Sequence, residues 1–355
     1  DLMTLNPKNV MNKTLLEDIK RFAADFSLYE GLRGRNILVT GATGLLGSCT
    51  VRALLALNDA HGLGLSVTAV VRNMEKARRM FGDETQKLRF YEYDFAQTEP
   101  FQPETTPYYI IHLAAPTASK YFVEHPVETM TTVHNGTLTM LEYARTAQVA
   151  GLVYVSTLEV YGTVLDGSTA LDEQQQGYLN PTEARSSYPM AKREAECLCH
   201  AYASEYRVPV TIARLAQTFG AGVSKDDGRV FAQFARNVIT GNDIVLHTRG
   251  ELCRCYCYTM DAVSAFLYLL QRGEAGEAYN VANEDSYISI IDMAGMVCRE
   301  FNPEIHPVIE LQGGMGYSPT TRLRLSTAKM QRLGWKPRYS LREMFDRLIT
   351  SMKEE

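Results

Sequence analysis

Thr40-Gly41-Ala42-Thr43-Gly44-Leu45-Leu46-Gly47 follows the apolar run Asn36–Thr40 and precedes an apolar stretch of helical spacing, Leu45–Leu57. A strand that ends in this pattern and turns straight into a helix is built to take a dinucleotide. Gly41 permits the tight turn out of the strand. Gly44 lets backbone approach a pyrophosphate. Gly47 lets the helix pack closely on the sheet, with its N-terminus facing the phosphates. Thr43, Leu45 and Leu46 complete the loop and offer backbone N–H groups.

Outward from this loop the chain alternates. Strands are expected at Leu65–Val71, Leu88–Tyr93, Tyr108–Ala115, Leu152–Ser156 and Val210–Leu215. Helices are expected at Met74–Phe81, Val127–Ala147 and Tyr188–Tyr206. Such alternation predicts an α/β fold, a doubly wound parallel sheet with ligands outside the carboxyl ends of the strands. Several residues then fall where a dinucleotide would lie. The second strand ends Val70-Val71-Arg72-Asn73, without the acid that commonly meets the ribose hydroxyls of NAD. Arg72 suits a 2′-phosphate, as in NADP, or a solvated surface equally well. Asp94-Phe95 is placed to contact adenine, and the small run Leu113-Ala114-Ala115 leaves room for the cofactor.

Residues 1–33 precede the first strand. Thr14-Leu15-Leu16-Glu17 fits a capping box ahead of Ile19, Phe22, Ala23 and Phe26, so a packed helix without chemistry is expected there. Residues 34–215 read as the dinucleotide-binding domain, with 258–283 returning to it. Residues 216–257 and 284–355 read as a smaller substrate-binding α/β domain, ending in two short helices around Leu333-Gly334-Trp335-Lys336-Pro337.

Bulk properties narrow the function. With 355 residues, 45% of them hydrophobic, the chain can bury a large core, and a net charge of −5 disfavours a general nucleic-acid surface. No run is long enough to span a bilayer and no signal-peptide pattern opens the chain, so a cytoplasmic protein is expected. Seven cysteines in a chain of this length do not form a disulfide framework. Cys253, Cys255 and Cys257 alternate with Arg254, Tyr256 and Tyr258, which predicts one buried strand face. No second cluster supports a metal site.

Tyr188-Pro189-Met190-Ala191-Lys192 supplies the candidate chemistry. A phenol and an ammonium four residues apart share a helix face. A lone tyrosine has a pKa of about 10. An adjacent ammonium and a positive nicotinamide favour phenolate, which makes Tyr188 a base and Lys192 its partner. In Val155-Ser156-Thr157-Leu158-Glu159, the Thr157 hydroxyl, with Ser156 as second choice, is placed to bond a reacting alcohol. Glu159 reads as an acid/base or carboxylate-orienting group, or as a structural acceptor.

These motifs resemble the extended short-chain dehydrogenase/reductases of the NAD-dependent epimerase/dehydratase family, over roughly residues 35–350. Arg254 before Tyr258-Thr259-Met260-Asp261, and Arg322 before Leu333–Pro337, extend the likeness. The resemblance implies a nucleotide-sugar substrate whose pyrophosphate is gripped by Arg254 and Arg322, a geometry that paired guanidiniums suit. It also implies a homodimer built on the two long helices. Within the family the likeness is to UDP-glucuronate decarboxylases. It rests on His112–Pro116 through Ser119, on Asn180-Pro181, on Tyr188 through Lys192-Arg193 and Glu196, on Asp227-Gly228-Arg229-Val230, which resembles their nucleotide-side loop, and on Thr157 and Glu159; it implies that Pro116, Ser119, Gln217, Arg229 and Val230 also meet the substrate. The implied reaction begins as Tyr188 takes the C4 hydroxyl proton and hydride passes to NAD⁺. The resulting β-keto acid loses CO₂, and hydride returns to C4. A cofactor regenerated in each turnover favours NAD over NADP.

Three departures bear on the reaction. Leu158 replaces the serine usual in those decarboxylases and lacks the proton donor a 4,6-dehydratase uses there. Val133 and Gln217 each stand where relatives carry asparagine. A 4-epimerase, which needs only tyrosine, lysine and threonine, is the alternative. A non-catalytic dinucleotide sensor is the reading from another class.

Overall fold

A computed structural model describes residues 11–97, 99–312 and 320–354. The first helix, α1 (Lys13–Asp25), is capped by Asn12, whose side chain accepts from Leu15 N at 3.1 Å. The expected Thr14–Glu17 capping box is therefore not formed. Thr14 instead gives its N–H and its hydroxyl to the Glu354 carboxylate, both at 3.0 Å. Leu15, Ile19, Phe22, Ala23 and Phe26 are buried. Each large apolar side chain among them contributes on the order of 1.5–3 kcal/mol.

Alternation follows: β1 (Asn36–Thr40), α2 (Leu45–His61), β2 (Ser66–Val71), α3 (Met74–Phe81), β3 (Leu88–Glu92) and β4 (Tyr109–His112). Next come α4 (Ser119–Glu124), α5 (Pro126–Ala147), β5 (Gly151–Thr157), α6 (Ser187–Tyr206) and β6 (Val210–Leu215). The remainder holds β7 (Gln217–Phe219), α7 (Val230–Thr240), β8 (Ile244–Leu246), β9 (Cys253–Tyr258), α8 (Thr259–Arg272) and β10 (Ala278–Val281). It closes with β11 (Asn283–Ser289), α9 (Ile290–Phe301), β12 (Pro307–Ile309), β13 (Arg322–Leu323), α10 (Ala328–Arg332) and α11 (Leu341–Glu354). The last of these spans fourteen residues and is not the short helix expected.

Seven strands form one parallel sheet in the order β10-β6-β5-β4-β1-β2-β3. The chain runs outward from β1 to β3, then restarts at β4 on the other side of β1. Ligands of such sheets bind at this reversal, beyond the carboxyl ends of β1 and β4. Side-chain alternation divides the core. Ile37 and Val39 of β1 belong to one apolar cluster together with residues of α1, α2 and α8. Leu38 belongs to a second with residues of α5 and α6. A doubly wound sheet needs both faces covered, so its strands are apolar on both sides.

A second sheet centres on β9, which pairs antiparallel with β11 and parallel with β7 and β13. The cysteine alternation does not separate inside from outside there. Cys255, Tyr256, Cys257 and Tyr258 are all buried, whereas Cys253 is half-buried. A central strand covered on both faces leaves no polar side to read. Two late motifs meet below it. The Asp261 carboxylate accepts from Arg338 N at 3.0 Å and Tyr339 N at 3.2 Å, and Trp335 Nε1 donates to Ser264 Oγ at 2.8 Å. Among the described residues no helix is long and apolar enough to cross a membrane, and no acid, histidine and cysteine cluster could hold a metal.

Candidate active site

The glycine loop forms a cradle whose shape depends on missing side chains. Gly41 sits at φ +63°, and a Cβ there would lie 3.0 Å from Ala114 N. At Gly47 a Cβ would lie 2.1 Å from Gly41 O and 2.8 Å from Ala42 Cα. Gly44 is the N-cap of α2 and offers no side-chain cap. The first N–H groups of α2, at Leu45, Leu46 and Gly47, therefore have no intrahelical acceptor and suit a phosphate. Thr43 is half-buried in the same turn.

The shelf after β4 is fastened to this cradle. Thr40 Oγ1 accepts from Leu113 N and Ala114 N, both at 3.1 Å, so its own proton goes to His112 Nδ1 at 2.7 Å. His112 is thereby the Nε2–H tautomer, and burial pushes its pKa down to about 3. Leu113, Ala114, Ala115 and Pro116 are half-buried, and Ser119 is exposed at the start of α4. Elsewhere on this rim, Arg72 is exposed at the end of β2, while Asn73 is spent capping α3 through Lys76 N. Asp94 is half-buried and accepts from Ala96 N at 3.0 Å. The Phe95 ring is in the core, edge-on to His112 at 5.4 Å, so its backbone is what it can offer a ligand.

Tyr188, one residue into α6, is 7% exposed. Its ring lies flat on Phe122 of α4, with centroids 4.2 Å apart and planes 4° apart. The Thr157 hydroxyl accepts from Glu159 N at 3.2 Å, and as a polar neighbour it favours the ionised phenol. Ser156 is engaged elsewhere, donating to Glu196 Oε1 at 2.5 Å. Glu196 in turn is forked by buried Arg214, whose Nη2 lies 2.7 Å from Oε2.

Lys192 is buried, and its Nζ donates to Val155 O at 2.8 Å while lying over the Tyr154 ring at 4.7 Å and the Tyr188 ring at 5.9 Å. Burial lowers its pKa to about 8. In the chain alone, Lys192 is not among the causes that move the phenol's pKa. Burial raises the Tyr188 pKa, and the charges that act on it are the Glu159 carboxylate, which raises it, and the Arg185 guanidinium, which lowers it. Those two are paired, Arg185 Nη2 to Glu159 Oε2 at 2.8 Å, with Arg185 also over the Phe122 ring at 5.4 Å. The ammonium instead satisfies a strand carbonyl.

A cleft of about 210 Å³ opens beside this cluster, lined among others by Glu159, Arg185, Pro189, Arg254, Thr321 and Leu323. Arg254 Nη1 donates to Gln217 Oε1 at 3.1 Å, and its buried Nε has no partner among the described residues. Arg322 is not brought to it. Leu323 is the residue in register with Arg254, whereas Arg322 pairs with Cys253. Arg322 is exposed with its Cβ beside Gly167. The expected pair of guanidiniums is thus split across the strand pair by alternation. Arg229 is forked to Asp227, Nη2 to Oδ2 at 2.6 Å, and caps α7 just before half-buried Val230. Leu158 is buried in the core with Val160 and Tyr161 and does not line the cleft. Val133 is buried in α5.

Sequence reading missed Phe122 and Arg185. Arg185 stands three residues before Tyr188, a spacing that would have flagged it. Phe122 is remote in sequence and carried no signal.

Comparison with known proteins follows the same lines. The model of the NAD dependent epimerase/dehydratase family matches residues 37–282. UDP-glucuronic acid decarboxylase 5 of Arabidopsis thaliana is 29% identical over 307 residues, 86% of each chain. UDP-glucuronic acid decarboxylase 3 of the same plant is 29% identical over the same share of both chains. Epimerase Mth375 from Methanothermobacter thermautotrophicus superposes with a TM-score of 0.75 at 23% identity, covering 96% of both chains.

Proposed function

The chain belongs to the NAD-dependent epimerase/dehydratase family, and from that membership we propose that it is a nucleotide-sugar enzyme of the UDP-glucuronate decarboxylase kind. One observation carries the reading: Lys192 donates to Val155 O at 2.8 Å and lies over the Tyr188 ring at 5.9 Å, at the end of β5 that closes on Thr157. The curated relatives supply the substrate class.

The cradle fits NAD, since Gly41 and Gly47 leave the space that side chains would fill. Gly41, Gly44, Gly47, the α2 N–H groups, Leu113–Ala115 and Asp94 would hold it, and when bound it supplies reversible hydride acceptance at C4 of the sugar. Arg72 is exposed at the rim and suits a 2′-phosphate, so titration with NAD and NADP separates the two dinucleotides.

In this reading Tyr188 removes the C4 hydroxyl proton while Thr157 holds that hydroxyl. The C4 ketone makes the C5 carboxylate a β-keto acid, whose C–C bond breaks to release CO₂. C5 takes a proton from water, Tyr188 gives its proton back to the C4 oxygen, and C4 is restored by the hydride that bound NAD would supply. Arg185 and Thr157 favour the phenolate that burial opposes. Arg254, whose Nε is unpartnered among the described residues, is a cation the cleft offers to a diphosphate. Leu158 cannot donate a proton, as a 4,6-dehydration would ask of that position, and its side chain lies in the core and not in the cleft. A 4-epimerase would use the same tyrosine, lysine and threonine.

The remaining assignments belong to the same proposal. The substrate half is residues 216–257 and 284–355. The homodimer implied by the resemblance would use α5 and α6; Val127 and Met130 of α5 and Tyr206 of α6 are exposed. The seven cysteines are all free, which suits a reducing, cytoplasmic setting.

The test is incubation with UDP-glucuronate and NAD. We expect CO₂ and a UDP-pentose, with Tyr188→Phe abolishing turnover while dinucleotide still binds. Inversion at C4 of a neutral sugar nucleotide, without CO₂, would overturn decarboxylation in favour of the epimerase.

A further inference from the structure

We propose that α1 is a positioning element for the substrate side of the enzyme, with Asp18 acting through Tyr258 and Arg347 to set the 220–229 loop. Asp18 is 1% exposed, although it carries a carboxylate. It accepts from the Tyr258 hydroxyl and pairs with Arg347 of α11. The Tyr258 oxygen then accepts from Ala221 N at 3.3 Å. One residue on, Gly222 N donates to Ser351 Oγ of α11 at 2.9 Å. Gly222 sits at φ +84°, and a Cβ there would lie 3.0 Å from the Leu15 side chain of α1. The start of the loop is therefore held from α1, from the end of β9 and from α11 at once.

Both ends of α1 are tied to the C-terminal part. Asn12 Nδ2 donates to Ser351 O at 2.7 Å, Arg347 Nη2 to Thr14 O at 2.9 Å, and Arg338 Nη1 to Asp25 Oδ2 at 2.7 Å. The same helix packs on α2, the helix of the glycine loop. It thus joins the dinucleotide cradle to the loop that ends in Arg229. A buried carboxylate costs several kcal/mol to desolvate, which an apolar residue at this place would avoid. Burial also raises the Asp18 pKa to about 6. Placement, more than added stability, is what its two fixed partners provide.

The inference rests on the nucleotide-sugar reading only where it names the loop's ligand. The test uses the full chain with Asp18→Leu and Asp18→Asn, measuring UDP affinity by calorimetry, amide exchange over 220–229, and KM and kcat. We expect Asp18→Leu to weaken UDP binding about tenfold, the loss of roughly one hydrogen bond. It should raise KM with kcat nearly unchanged and speed exchange over 220–229. Asp18→Asn keeps an acceptor for Tyr258 and should restore most of the affinity. If Asp18→Leu does not fold, Tyr258→Phe removes the hydroxyl alone and carries the same expectation. Unchanged exchange and unchanged UDP affinity in a folded variant would overturn the proposal. If the wild-type protein binds no UDP, the nucleotide-sugar reading fails, and exchange over 220–229 still decides the role of Asp18.

Discussion

Replacing Gly47 with alanine adds one methyl group at the most crowded point of the cradle. That carbon would lie 2.1 Å from Gly41 O and 2.8 Å from Ala42 Cα, both backbone atoms that no rotamer change can move. Ordinary contact needs about 3.5 Å, so the start of α2 must recede from β1 by about 1 Å. Overpacking of this kind costs about 1–3 kcal/mol, seen as a melting temperature lowered by a few degrees. The same displacement moves the free N–H groups of α2 away from a bound pyrophosphate. Loss of one hydrogen bond to a charged group costs about 1.5–3 kcal/mol, hence roughly tenfold to a hundredfold weaker NAD binding. Thermal melting and calorimetric titration with NAD read the two effects separately. Gly228→Ala is the control, since a Cβ there meets nothing within 4 Å and its backbone is unstrained. A Gly47→Ala protein that melts and binds NAD like the wild type would refute the close-packing argument.

Two further perturbations follow from buried polar groups. Glu196→Leu strands the Arg214 guanidinium and the Ser156 hydroxyl, at a cost of about 3–5 kcal/mol in denaturant unfolding. Adding Arg214→Met should recover part of that loss, and a double variant less stable than Glu196→Leu alone would contradict the pairing. His112, held neutral with its pKa lowered from 6.5 to about 3, has a definite sign. Between those values the unfolded chain binds a proton that the fold does not, so its contribution is fully present above pH 6.5 and drains away as pH falls toward 3. His112→Asn should therefore lose stability less steeply across that window, and parallel curves of unfolding free energy against pH would count against the assignment.

Much of the fold was legible because period and punctuation agree. Ile37, Leu38 and Val39 are apolar on both sides, as a covered parallel strand requires, and Gly41, Gly44 and Gly47 mark a turn only glycine can make. The helix carrying Tyr188 and Lys192 was equally visible. What spacing could not convey was direction and long-range pairing. Thr14–Glu17 has the letters of a capping box, yet Thr14 is drawn to Glu354 from the far end of the chain. Cys253–Tyr258 alternates like a half-buried strand, but β7, β11 and β13 pair beside it and both faces are covered. Arg322 fits the motif, while register alone decides that it faces away from Arg254. The state of the Tyr188 phenol depends on burial and on Glu159 and Arg185, none of which a four-residue interval reports.

The flat stack of Phe122 on Tyr188 joins segments far apart in the chain, and Ser187 Oγ fixes the join by donating to Phe122 O at 3.1 Å. The aim of the phenol is consequently shared between α6 and the six-residue helix α4. A change confined to that short helix therefore alters the seat of the phenol while leaving the tyrosine's own helix untouched. A search for altered selectivity can begin at Phe122, whose ring seats the tyrosine from a different helix.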